Sequence, residues 1–207
     1  MASGRVKMKI ATTFSAIITL ISFLYKATLG VLTMSMVLMV ASISTFLVFV
    51  CKVIFVKNVL SNREKKKKAY LKMIIIIFIF AILFLLFAVL KVNGIDTSNQ
   101  KTYSGFLGTL FIVFILLMLI LSALKLKGAL QRNDIMVIGL KEMVFVSALT
   151  DIVIIEEFAY RMGEHYNKIP QVMETIHLFV PLGVAVLMLI VPIIMIVRFI
   201  RYKPDQK

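Results

Sequence analysis

Cysteine is almost missing from this sequence. Cys51 is the only one, so an intramolecular disulfide is impossible and a cluster of cysteine metal ligands is excluded. It lies inside an apolar run and reads as a small buried hydrophobe. Tryptophan is absent and glycine is scarce at 9 residues. No G-x-x-x-G falls within an apolar stretch, so close helix crossings through glycine are not expected, and serine or alanine would serve at helix contacts. No glycine-rich phosphate loop, nucleophile elbow or paired haem-ligand arrangement occurs. Charge is sparse too, at 16% of residues, where a soluble domain carries about a quarter. No polar segment is long enough to enclose a core, which excludes a separate soluble domain.

What fills the chain instead is hydrocarbon. Of its 207 residues, 61% are hydrophobic and the mean hydropathy is +1.01. Several runs approach or exceed the roughly 20 apolar residues that cross a bilayer as a helix. The expectation is an all-α, polytopic integral membrane protein, a single membrane domain over 1–207. Its six spans are expected near 10–29, 31–53, 73–92, 105–124, 135–155 and 178–197, with Gly30 at the first turn. The fifth is the least apolar, since it carries Lys141, Glu142 and Asp151. Each charge near the membrane centre costs about 2.5–3.5 kcal/mol on insertion scales, so five spans plus an interfacial helix is the alternative. Proline at 192 is expected to kink the last helix, and Pro181 falls in its expected first turn, where proline is tolerated.

The formal charge of +14 is unevenly placed. With the N-terminus inside, Arg5, Lys7 and Lys9 are cytoplasmic. So are Lys57, Arg63, Lys65, Lys66, Lys67, Lys68 and Lys72 in the loop after the second span, and Lys125, Lys127, Arg132 and Lys141 after the fourth. The first two outer loops hold only Lys26, Lys91 and Lys101. Lysine and arginine collect on the cytoplasmic side, so both termini are expected in the cytosol, with the plasma membrane as the site. A spanning fifth segment also brings the basic end "RFIRYK" inside. The run at 57–72 is expected to touch anionic lipid headgroups through Arg63, Lys65, Lys66, Lys67 and Lys68. It lacks the interleaved aromatics of a nucleic-acid groove, and no nucleic acid is expected.

Ionisable residues within spans are functional candidates. Asp151, Glu142 and Lys141 make the fifth helix the polar element of a transport or channel protein, or of the membrane subunit of a larger complex. A homo-oligomer fits so small a bundle. No cofactor is expected, and no H-x-x-x-H or H-E-x-x-H spacing announces a metal. A purely structural or partner-binding protein is a further reading.

The stretch "DIVIIEEFAYRMGEH", 151–165, breaks the apolar pattern most abruptly. Carboxylates and imidazoles together can handle protons. Glu157 and Arg161 are an i, i+4 pair, which stabilises an exposed helix end. Within it, "EEFAYR" fits E-E-x-x-x-R, and "IVIIEEFAYRMG" resembles the first motif of the CAAX-processing and bacteriocin-processing family of intramembrane proteases. "METIH", ending at His177, is an imperfect counterpart of that family's second motif, F-x-x-x-H. The resemblance implies a hydrolase with Glu156 as the base acting on water, Glu157 and Arg161 as its supports, and His177 as the histidine partner.

Overall fold

A computed structural model of the protein describes residues 2–32, 34–93, 105–131, 134–165 and 171–201. The described residues form six α-helices: α1 Ala2–Leu32, α2 Met36–Asn58, α3 Arg63–Val92, α4 Gly105–Leu130, α5 Ile135–His165 and α6 Gln171–Arg201. The fold is all-α. Helices α1, α2, α3 and α6 are each long and apolar enough to cross a membrane.

Every helix outlasts the apolar run that marks it. Lys, Glu, Arg and Leu are good helix formers, and backbone hydrogen bonding does not stop where hydropathy drops. Thus "REKKKKAYLK" forms the first turns of α3 instead of a loop, and "EEFAYRMGEH" continues α5. For the same reason α6 begins at Gln171, which leaves Pro181 in the helix interior and not in the first turn. The first turn of the chain also moves. Gly30 is still helical, and the reversal falls at Met34, whose φ is +49°. Ser35 then caps α2, its hydroxyl accepting from the Leu38 amide at 3.3 Å, which satisfies one of the orphan donors of the first turn.

Helix α5 is the hub. It packs on α2, α3, α4 and α6, while α3 also packs on α6 and α1 rests on α2. Between α3, α5 and α6 lies a dry core of Ile77, Phe80, Phe84, Met143, Val146 and Met188. Glycine does matter at one crossing, against the expectation from its scarcity. A Cβ at Gly139 of α5 would lie 2.7 Å from the Tyr70 ring and 3.1 Å from the Met73 sulfur, so the missing side chain is what lets α3 approach. Serine serves where α2 meets α5: the Ser44 hydroxyl lies 3.2 Å from that of Ser147 and 3.0 Å from that of Thr150.

The outside is as apolar as the inside. Ile75, Phe78, Ile79, Ile82, Leu83 and Leu86 of α3 are exposed while its other face is buried. A helix hydrophobic all round belongs in lipid, and exposed apolar surface on this scale marks a membrane protein.

Candidate functional site

Of the carboxylates on α5, or on the residue before it, Asp134, Glu142, Asp151 and Glu157 each meet a cation on another helix. Asp134 lies 4.0 Å from Lys66 of α3. Glu142 binds Arg198 of α6 and accepts a hydrogen bond from the Tyr70 hydroxyl of α3 at 3.2 Å. Asp151 binds Lys26 of α1 at 3.0 Å. Glu157 binds Lys91 of α3 at 2.7 Å. Buried charge is tolerated only when paired, and these pairs run along α5 from Asp134 to Glu157.

The residues expected to form an ion pathway do not meet. At 100° per residue, Glu142 and Asp151 lie on opposite sides of α5, about 180° apart. Asp151 faces α1, whereas Glu142 faces α3 and α6. From Glu142 to Glu156 the α3–α5–α6 seam runs roughly 20 Å along α5, and the side chains between them are the apolar core described above. Lys141 is half-buried on a third face.

The residues implied by the protease resemblance do come together. His177 approaches Glu156, with Nδ1 2.6 Å from the carboxylate oxygen, and its Nε2 lies 3.8 Å from Glu157. Arg161 donates from Nε to Glu157 at 3.2 Å, one turn along the same helix. The Tyr160 ring stacks on the imidazole, with centroids 3.8 Å apart and planes at 10°. These contacts need α5 to stay helical past Ile155 and α6 to start before Leu178, so the two helix extensions build the site. Proline at 181 adds to it. It has no N–H to donate, so the carbonyl of His177, four residues earlier, loses its helical partner.

Lys91 completes the cluster, and nothing in its sequence neighbourhood announced it. It sits one residue from the end of α3 and had the look of a loop-side charge. Its ammonium lies 2.7 Å from Glu157, 3.5 Å from Glu156 and 3.4 Å from His177 Nδ1. Nδ1 cannot both donate to Glu156 and accept from Lys91, and the shorter distance assigns its proton to the Glu156 bond. Side-chain exposure is 2% for Glu157, 6% for Lys91, 11% for Glu156 and 12% for His177. Ligand atoms of Glu156, Glu157 and His177 fall within 4.8 Å of one another, as a metal site requires. The ammonium of Lys91 already supplies positive charge among them. In all, two carboxylates, an imidazole and two cations share one low-dielectric pocket near the α5–α6 end of the bundle.

Of the basic run, Arg63, Lys65 and Lys68 are exposed. Lys66 turns inward, 7% exposed, toward Asp134. Lys67 sits 4.8 Å above the ring of Phe199 of α6. Glu164 and His165 lie in the last turn of α5, and their side chains fall outside the described residues.

Compared with known protein families, with curated proteins and with solved structures, the chain matches none.

Proposed function

We propose that this multi-pass membrane protein is an intramembrane hydrolase that cleaves an amide bond of a membrane-borne peptide, with Glu156 as general base. The observation that carries the reading is the 2.6 Å contact between Glu156 and His177, which joins two motifs found separately in the sequence. In the reaction, Glu156 takes a proton from water and the resulting hydroxide attacks the scissile carbonyl carbon. The oxygen of that carbonyl becomes negative opposite the Lys91 ammonium, which stabilises it in a site poor in water. His177 gives its Nδ1 proton to the leaving amine as the C–N bond breaks and recovers one from Glu156, so one water and one amide give an acid and an amine. Arg161 and Lys91 hold Glu157, and Tyr160 holds the plane of the imidazole.

The test compares peptide termini in the membrane proteome of cells producing the wild-type chain, Glu156→Gln or His177→Ala. New termini near membrane spans, present with the wild-type chain and lost in both variants, are the expected result. Identical termini in all three overturn the reading.

A second reading, transport or conduction, rests on the Lys26–Asp151 pair, a part-buried contact between α1 and α5. It expects proton or ion flux in proteoliposomes that Asp151→Asn abolishes. In either case the placement we favour is six spans in the plasma membrane with both termini cytosolic. Arg63, Lys65 and Lys68 then lie at the anionic inner surface, and α4 or the lipid face of α6 is available to a second copy or another membrane subunit.

A further inference from the structure

The last turns of α6 carry an open cavity of about 330 Å³, lined by Ile193, Ile194, Val197, Arg198 and Arg201. That volume lies within the range of small-molecule sites, about 300–1,000 Å³. The spacing of these residues places them on one stripe of the helix. The stripe changes chemistry along its length. Ile193, Ile194 and Val197 are all exposed and make an apolar groove. Arg198 and Arg201, three residues apart, are neighbours on the helix surface and make its mouth.

The two arginines are held differently. Arg198 binds Glu142 through Nη1, and its side chain stays partly exposed at the cavity edge. A guanidinium has five N–H donors, so one carboxylate oxygen does not exhaust it. Glu142 therefore fixes the fork in place without using all of it, and a fixed fork matches the oxygens of a phosphate. Arg201 is exposed and reaches the cavity from the water side.

Depth says what fits there. Lys67 of α3 sits 4.8 Å above the ring of Phe199, so the end of α6 is level with the basic first turns of α3. At that level the chain passes from lipid to water. From Arg201 the groove runs back about 12 Å to Ile193 at 1.5 Å per residue, into the apolar part of α6. Cations at the surface with an apolar groove beneath them match the two parts of an anionic phospholipid. A soluble anion would leave the groove bare, and a zwitterionic lipid would bring a cation of its own to the arginines. Basic residues at the end of a spanning helix are a known mode of anionic headgroup recognition.

We infer that Arg198 and Arg201 bind the phosphate of one anionic phospholipid molecule, whose acyl chain lies in the groove of Ile193, Ile194 and Val197. The site is separate from the 57–72 run and does not depend on the hydrolase reading.

The experiment titrates the full chain, purified in mild neutral detergent, with phosphatidylglycerol or phosphatidylcholine, adds inorganic phosphate as competitor, and counts bound lipid by native mass spectrometry. One phosphatidylglycerol per chain is expected, bound about tenfold or more tightly than phosphatidylcholine and not displaced by inorganic phosphate. Arg201→Ala is expected to weaken it about fivefold, and Arg201→Lys by less. Val197→Trp, which fills the groove, is expected to weaken it although both arginines remain. Ile79→Trp, on the exposed face of α3, leaves it unchanged, as does Lys65→Ala with Lys68→Ala. The varied side chains are all exposed, so the fold is not at stake, and Arg198 stays in place because Glu142 relies on it. Equal affinity for the two lipids, displacement by inorganic phosphate, or unchanged affinity in Arg201→Ala or Val197→Trp overturns the inference. Two further results also overturn it. Equal weakening by the Lys65 and Lys68 changes would mean diffuse attraction to the basic surface, and a dimer that Val197→Trp dissociates would mean that a second copy fills the groove.

Discussion

At the scale of single residues, the chain is governed by a few side chains whose removal leaves something stranded. Lys91 is the clearest case. Without its ammonium, Glu157, at 2% exposure, loses its 2.7 Å contact to a cation. Breaking a buried pair from one side costs about 3–5 kcal/mol, and Lys91→Met is expected to destabilise the purified protein by that order. The double variant Lys91→Met with Glu157→Leu is expected to recover most of the loss, because Glu157 is then no longer stranded, Glu156 keeps its contact to His177, and Arg161 is long enough to reach water. Unfolding of wild type, both single variants and the double variant measures the coupling, and additive losses would count against a direct pair. Gly139 acts by the opposite route, through absence. Alanine there must displace the fully buried Tyr70 ring, and overpacking of this kind costs about 1–3 kcal/mol. Gly139→Ala is expected to lower stability by that amount, whereas Gly183→Ala, with open space around its Cβ position, is expected to be close to neutral. Equal effects at the two glycines would remove the close-approach argument.

At the scale of elements, α1 and α5 are contrasting cases. Helix α1 packs on α2 and is otherwise lipid-facing, with Ile10, Phe14, Ile17, Ile18 and Ile21 exposed. Polar links reach it from Lys52 to Ser15 and Thr19, and from Lys26 to Asp151. Lys26→Ala is expected to loosen the C-terminal half of α1, read as faster thiol labelling of a single cysteine at Thr28 in a Cys51→Ala background, with labelling at Ser42 of α2 unchanged. An unaltered rate at 28 would mean that α2 alone holds α1. Helix α5 was the least apolar of the expected spans; its existence and polarity were legible from hydropathy and charge, but its continuation from Glu156 to His165 was not. What could not be read was which charge meets which. Periodicity places Asp151 and Glu142 on faces of one helix but says nothing of the neighbours on those faces. Thus the carboxylates expected to act together are split between α1 and the α3–α6 side. The Glu156, Arg161 and His177 grouping was legible only through the resemblance to the protease motifs. Lys91 was not, since a lone lysine at the end of an apolar run looks the same whether it snorkels to water or turns inward.

For the whole molecule, the arrangement of polar and apolar layers follows from α3, α5 and α6. Polar clusters stand at both ends of their shared seam, and the material between them is dry. The roughly 20 Å between the ends is about two thirds of the hydrocarbon thickness of about 30 Å. The six-helix count was readable from composition, but helix ends were not, because hydropathy reports where lipid begins and helix propensity continues past it. The topology proposal yields a direct expectation at the two ends of α3. In the Cys51→Ala background, Asn93→Cys is expected to react with an impermeant thiol reagent applied outside intact cells. Asn62→Cys is expected to react only after permeabilisation. Labelling of both from outside would mean that α3 does not cross.

Pro181 and Pro192, both buried in the inner face of α6, are eleven residues apart, which brings them within about 20° of the same azimuth. Each removes one rung of the helix ladder on the side that faces the bundle. The carbonyls of His177 and Met188 are therefore released on one side and at two heights. A rod weakened twice along a single line flexes most easily in one plane, much as a strip scored on one face folds along its scores. The mechanical compliance of α6 is thus directional, and the stiff segment between the two scores carries Val184, Ala185 and Met188 of the core. The upper score lies one helical turn from the imidazole, so bending there tilts His177 relative to Glu156 while the packed middle of the helix stays in register.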